Sequence, residues 1–226
     1  MPVTIGTCPP ERLKVVVADD CPVMREGLAH LLADECDFAM INSAATAAEL
    51  RTIIARQPPH VLVMDLMLGD GDGLALLKDL LALAPKLPIV VFTQQPADVY
   101  AERCLRAGAR GFVAKRDSVH SLFQAIREAA AGGIVMPSGI SSRLMAAPVK
   151  GNTAATGVAS SLTNRELQVF RLVGQVQPTR LIAQKLGVSV KTVETHRENI
   201  KNKLDLDSHA ELVARAAQWL RENGDS

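Results

Sequence analysis

The feature that most constrains this chain is an alternation. Between Leu13 and Ala131 five short apolar runs take turns with five stretches of helical periodicity. The runs are LKVVVA at 13–18, a weaker one from Phe38 to Ala44, VLVM at 61–64, IVVF at 89–92 and Gly111 to Ala114. The helical stretches are Val23 to Leu32, Ala47 to Arg56, a segment from the Gly69–Gly73 loop to about Ala84, Val99 to Ala107 closed by Gly108, and Ser118 to Ala131. Short runs that are apolar on both faces, each followed by a helix, predict an α/β fold: a doubly wound, five-stranded parallel sheet covered on both sides.

The polar residues of this half fall at the strand ends. Asp19 and Asp20 follow the first strand, Asp65 the third, Thr93 the fourth and Lys115 the fifth. In a parallel sheet these ends share one edge, and ligands bind there where the winding reverses. A lone Asp at such a place is ordinarily a cap or turn residue, and Asp70 and Asp72 are read that way. Three carboxylates together repel one another. An all-oxygen set suits Mg²⁺, which takes one or two protein carboxylates and keeps waters and phosphate oxygens as its other ligands. An ionised Asp in such a site can attack a phosphoryl group to give an aspartyl phosphate, with Lys115 supplying positive charge.

The pattern changes at about Pro137. The stretch PVKGNTAATGVASS at 148–161 is small and polar and reads as a linker, and from Leu162 onward only helices are predicted. The expected domains are 11–135, a linker over 136–160, and an all-α domain over 161–226. In the latter, Thr163 and Glu166 have the spacing of a capping box, opening a helix to about Val173. TRLIAQKL at 179–186, the turn Gly187-Val188-Ser189, and VKTVETHRENIKNKL at 190–204 then form a helix-turn-helix, with Gly187 ending one helix and Ser189 capping the next. Its expected core is Ile182, Ala183, Leu186, Val188, Val193, Ile200 and Leu204. The last helix, about Ala210 to Leu220, has an apolar face of Leu212, Val213, Ala216 and Leu220.

Charge sharpens this reading. The chain carries only +1, yet six basic residues and two acidic ones lie between Thr179 and Lys203, a local +4. Positive charge concentrated on a helix-turn-helix points to double-stranded DNA, with the second helix in the major groove and Lys and Arg on phosphates. The scattered Cys8, Cys21, Cys36 and Cys104 match no metal or disulfide pattern. The start of the chain lacks a signal-peptide pattern. The apolar run from Leu74 to Leu83 is broken by Lys78 and Asp79, so no membrane span is expected. A cytoplasmic protein is expected.

VVVADDCPVMREGL, VLVMDLMLGDGDGL, IVVFTQQ and GARGFVAK together resemble the receiver domain of bacterial response regulators, over about Leu13 to Gly133. The resemblance implies a flavodoxin-like fold with Asp65 as phosphoacceptor. Asp20 and Asp65 would bind Mg²⁺, with Asp19 close by and the main-chain carbonyl of Met67 as a further ligand. Thr93 would bond the phosphoryl oxygen and Lys115 pair with its charge. Phe112 stands at the place of the switch aromatic, with ordinary strand packing as the alternative. Three departures are visible: Gly69 replaces the usual loop Pro, Cys21 a frequent His, and Arg116 the Pro that commonly follows the Lys.

LTNRE, LIAQKLGVSVKTVETHRENIKNKL and HAELVARA resemble the LuxR-type helix-turn-helix. Both halves together are similar to the NarL/FixJ-type response regulators. That implies a histidine kinase partner, a homodimer when active, and transcriptional control rather than an enzyme. It also implies DNA-facing positions at Lys191, Thr192, Glu194, Thr195, Glu198 and Lys201, with His196 and Arg197 alongside, and a dimer surface on the last helix, with packing inside the domain as the equal alternative for its apolar face. Gln175-Val176-Gln177-Pro178 departs from the family turn, with Pro178 at the start of the next helix. Two other readings stay open: a Mg²⁺-dependent phosphatase, and a DNA binder whose receiver is vestigial and controlled by a ligand or protein partner.

Overall fold

The computed structural model describes residues 11–68, 72–137, 158 and 161–222. Gly69, Asp70 and most of the expected linker lie outside the described residues. The chain forms two compact units.

The first unit runs β1 (Leu13–Ala18), α1 (Pro22–Asp34), β2 (Phe38–Ala44), α2 (Ala47–Arg56), β3 (Val61–Met64), α3 (Gly73–Leu83), β4 (Ile89–Thr93), α4 (Ala97–Arg106), β5 (Gly111–Ala114) and α5 (Val119–Ala130). Every strand pairing is parallel and the order is β2-β1-β3-β4-β5. The winding therefore reverses between β1 and β3, as the alternation predicts. Side chains of one parity (Val15, Val17, Val61, Val63, Val90, Val113) pack on Leu28 and Leu32 of α1 and Leu122 and Ile126 of α5. By the two-residue period of a strand the other parity, with Val91 and Phe112, faces the opposite side. Ser118 caps α5 by accepting the Ser121 amide at 3.2 Å.

After α5 the chain returns to the sheet. Val135 makes an isolated parallel bridge with Gly111. Its amide donates to the Arg110 carbonyl at 2.8 Å, and its carbonyl accepts the Phe112 amide at 3.1 Å.

The second unit holds α6 (Asn164–Gly174), α7 (Thr179–Leu186), α8 (Val190–Leu204) and α9 (His209–Glu222). The capping box forms as expected: Thr163 Oγ1 accepts the Glu166 amide at 3.3 Å while Glu166 Oε2 accepts the Thr163 amide at 2.8 Å. Gly187 ends α7 at φ 65°, a left-handed position that a side chain would strain, and Ser189 caps α8. Of the expected core, Ile182, Ala183, Leu186, Val193 and Ile200 are buried, while Val188 and Leu204 are half-buried.

The apolar face of α9 is occupied inside the domain. Leu212, Ala216, Trp219 and Leu220 are buried, and Trp219 meets Phe170 of α6 edge-on at 6.0 Å. Gly174 permits this crossing, because a Cβ there would lie 2.8 Å from the Ala216 carbonyl oxygen and 2.7 Å from Leu220 Cδ1. Of the two readings of this face, packing within the domain is the one the burial of Leu212, Ala216 and Leu220 against α6 supports. Val213 is half-buried.

Candidate phosphoacceptor pocket and nucleic-acid interface

The parallel register brings the strand ends together. Asp65 leaves β3 with its amide bonded to the Ala18 carbonyl at 2.8 Å, which sets it beside the end of β1. The Lys115 amide bonds the Thr93 carbonyl at 2.8 Å, joining the ends of β4 and β5. Carboxylate oxygens of Asp19, Asp20 and Asp65 lie within 4.8 Å of one another. Asp19 and Asp65 are buried and Asp20 is exposed. Asp20 lies in the bend after β1, one residue farther from the sheet than Asp19.

Lys115 is the counter-charge. Its Nζ lies 2.5 Å from Asp19 Oδ2 and 2.6 Å from Asp65 Oδ2, with all three side chains nearly buried. Burial works against the ammonium, but the charge of Asp65 and hydrogen bonds to both carboxylates overcome it and hold its pKa above the ordinary lysine value. Asp19 fares differently. Burial lifts its carboxyl above the usual range, and the bonds from Lys115 and the Cys21 amide do not fully offset that. Three carboxylates against one contacting ammonium leave negative charge for a cation to neutralise. The all-oxygen donor set fits a hard divalent ion.

The neighbours are ordered around this cluster. The Met67 amide donates to Asp65 Oδ1 at 3.1 Å. Buried Thr93 accepts the Gln95 amide on Oγ1 at 3.3 Å. Phe112 is buried in β5, in register with Val91. Sequence reasoning missed Arg25. From the first turns of α1 its Nη1 donates to the main-chain carbonyls of Asp19 at 2.7 Å and Asp20 at 3.1 Å, tying down the acidic pair. A cation soon after the acidic pair was the available signal.

On α8 the candidate positions separate. Lys191, Glu194, Thr195 and Glu198 are exposed along one helical ridge. Thr192 Oγ1 lies 2.8 Å from the capping Ser189 Oγ, Thr195 Oγ1 donates to the Lys191 carbonyl at 3.0 Å, and half-buried Lys201 pairs with Glu198 at 3.0 Å. His196 and Arg197 turn toward the domain interior. Arg197 Nη1 donates to Thr179 Oγ1 at 2.7 Å. His196 Nδ1 is buried without a hydrogen-bond partner. Burial, helped by the charge of Arg165, lowers the His196 pKa.

Two buttresses of this domain were not read from sequence. Lys203 Nζ lies 2.6 Å from Glu166 Oε2. Arg165 bonds the Leu186 carbonyl at the end of α7 and Gln168 Oε1 at 3.0 Å. With Lys203 and Lys201 paired, the exposed cations of α7 and α8 without an ion-pair partner among the described residues are Arg180, Lys185 and Lys191.

Comparison with known proteins agrees with this layout. The response regulator receiver domain family matches residues 15–127, and the luxR family of bacterial regulatory proteins matches residues 160–216. The transcriptional activator protein ExaE of Pseudomonas putida is 31% identical over 199 residues, covering 88% of this chain and 93% of the relative. The oxygen regulatory protein NreC of Staphylococcus carnosus is 31% identical over 207 residues, covering 89% and 95%. A LuxR-family two-component response regulator from Aurantimonas sp. SI85-9A1 superposes at TM-score 0.56 with 27% identity, over 60% of this chain and 97% of that one. RcsB of Salmonella typhimurium shares the fold at TM-score 0.62 and 24% identity, over 92% and 98%. RcsB has also been solved bound to promoter rprA with the phosphomimetic BeF3⁻, a structure at TM-score 0.58 and 23% identity covering 92% and 99%. Fold and domain pairing define a two-component response regulator. Within that class, the chain belongs to the NarL/FixJ-type family, a receiver followed by a LuxR-type DNA-binding domain, whose named relatives regulate transcription. No described helix is long and apolar enough to cross a membrane.

Proposed function

We propose that Asp65 accepts a phosphoryl group from a histidine kinase in the cytoplasm and that this controls sequence-specific DNA binding by α8. The observation that carries the reading is Asp65 itself: a buried carboxylate at the end of a central strand, bonded to Lys115 and within 4.8 Å of two further carboxylates. Asp20 and Asp65, with Asp19 alongside and the Met67 carbonyl, would hold Mg²⁺, which when bound neutralises charge on the transferring group. Lys115, whose Nζ lies 2.6 Å from Asp65 Oδ2, would pair with a phosphoryl oxygen on Asp65, and Thr93 would donate a hydroxyl bond to it. The step needs no general base, because a carboxylate nucleophile, unlike a hydroxyl, has no proton to give up as it attacks.

In the second domain Lys191, Thr192, Glu194, Thr195, Glu198 and Lys201 are the proposed DNA face, with Arg180 and Lys185 as further phosphate contacts and His196 and Arg197 holding the helix in place. The segment 136–160 serves as the linker between the regulatory domain 11–135 and the DNA-binding domain 161–226. The active form is proposed to be a homodimer on paired half-sites, as two-fold operators require.

The test is phosphodonor labelling with Mg²⁺ of the wild type beside Asp65→Asn, followed by DNA binding across salt concentrations. One phosphoryl group per wild-type chain, none on the variant, and tighter DNA binding after labelling are expected. Equal labelling of both chains refutes the assignment. Turnover of phosphoester beyond one equivalent would instead favour a phosphatase, and DNA binding without any labelling a vestigial receiver.

A further inference from the structure

A cavity of about 270 Å³ adjoins the acidic pocket. Met24 of α1 and Ala114 give it an apolar floor, and Thr93, Gln94, Lys115 and Arg116 give it a polar wall. Thr93 and Lys115 also belong to the acidic pocket, so the two spaces share these residues as lining. Lys115 is committed to Asp19 and Asp65. Arg116 is exposed and has no ion-pair partner among the described residues. Its acidic neighbour Asp117 is turned back, accepting the Ala114 amide on Oδ2 at 3.1 Å. An exposed arginine with no ion-pair partner among the described residues thus lines a small cavity together with Thr93 and Lys115, the residues proposed to hold a phosphoryl group.

We infer that this cavity receives the leaving group of a small phosphodonor, and that Arg116 makes it selective for acyl phosphates. The inference rests on Asp65 being the phosphoacceptor. As the Asp65 oxygen bonds to phosphorus, the bond from phosphorus to the acyl oxygen breaks and its electron pair stays on that oxygen. The product released is a carboxylate, whose charge grows through the transition state. A guanidinium matches a carboxylate with two parallel hydrogen bonds. Charge stabilised only as it develops accelerates the reaction rather than merely binding the donor. Phosphoramidate delivers the same phosphoryl group, but its nitrogen already carries the protons with which it leaves as neutral ammonia. Arg116 has no developing anion to stabilise in that case.

The experiment measures labelling of the full chain, with Mg²⁺, by acetyl phosphate and by phosphoramidate, reading the mass of the intact protein over time. Wild type, Arg116→Ala and Arg116→Lys are compared. Arg116→Ala is expected to slow acetyl phosphate about fivefold, less than the loss of a buried donor costs because the guanidinium is exposed, and phosphoramidate by less than about twofold. Arg116→Lys falls between, since charge remains and the fork is lost. The ratio of the two donors within one variant cancels any loss of folded protein. An unchanged ratio overturns the inference. If neither donor labels the wild type, the assignment of Asp65 fails first and the subsite falls with it.

Discussion

The Lys115 ammonium lies 2.6 Å from Oδ2 of Asp65, so the side chain that follows β5 closes over the one that follows β3. The same ammonium reaches Asp19 at 2.5 Å. Removing it by Lys115→Ala leaves two buried carboxylates without a counter-charge. A loss of about 3 kcal/mol in metal-free urea unfolding at neutral pH is expected. Mg²⁺ should recover part of it and bind the variant more tightly than the wild type. The Lys115 pKa is raised on folding, so its contribution is complete below the ordinary lysine pKa and fades only as alkaline pH passes the higher folded value. An equally stable variant without metal would contradict the charge balance drawn for this pocket.

Glu166 offers a pH test in the second domain. Burial alone would raise its carboxyl, but the Lys203 bond and the Thr163 backbone bond together hold it below the usual carboxylate value. A depressed pKa contributes stability above the unfolded value and loses it as pH falls through the folded one. Glu166→Gln should therefore cost about 1.5 kcal/mol at pH 7, discounted because Lys203 is partly exposed. Thermal melts of the two proteins should converge as acid protonates the wild-type carboxyl. A difference that persists in strong acid would assign the effect to packing.

The faces of α8 predict two kinds of variant. Lys191 is exposed and unpaired among the described residues, so Lys191→Ala should weaken DNA binding at every sequence and lower the salt slope by about 1, with an unchanged melting temperature. Arg197→Ala breaks the bond to Thr179 Oγ1 and should lower the melting temperature as well. Fluorescence anisotropy on DNA, paired with thermal denaturation, separates them.

Gly174→Ala should be among the most damaging small changes in the second domain. The added methyl would collide with the Ala216 backbone and Leu220, and backbone cannot swing aside as a flexible side chain can. Pushing α6 and α9 apart is expected to cost about 2 kcal/mol in chemical denaturation. A neutral effect would mean that the helices cross less closely than they do here.

Val176 points the other way. It sits at φ 57° in the turn before α7, with its side chain 74% exposed. A β-branched residue is strained there and gains little from packing. Val176→Gly should stabilise the domain by about 0.5 kcal/mol, the relief of strain exceeding the added freedom of the unfolded chain. A drop in stability would show that Val176 packs more usefully than its exposure suggests.

The strand ends were legible because strand length and polarity are local properties, so Asp19, Asp20, Asp65, Thr93 and Lys115 could be placed on one sheet edge before any coordinates. The capping box at Thr163, the turn at Gly187 and the bounds of α8 are local in the same sense. Pairings across the chain were not. Glu166 and Lys203 are 37 positions apart, and Arg127 bonds Asp37 across 90 positions. Such partners carry no spacing signature, because any surface acid could equally answer any surface base. The apolar face of α9 was visible as periodicity, but periodicity cannot say whether a second copy or α6 covers it. Val176 hid for the opposite reason, since a left-handed turn without glycine leaves no compositional mark.

Val135 fills a place on the outer edge of β5 that would otherwise be open to another chain. The first step out of the regulatory domain is therefore stitched to the peptide group of Phe112. Any movement of β5 would act on Val135 through two main-chain hydrogen bonds, with no side chain between them.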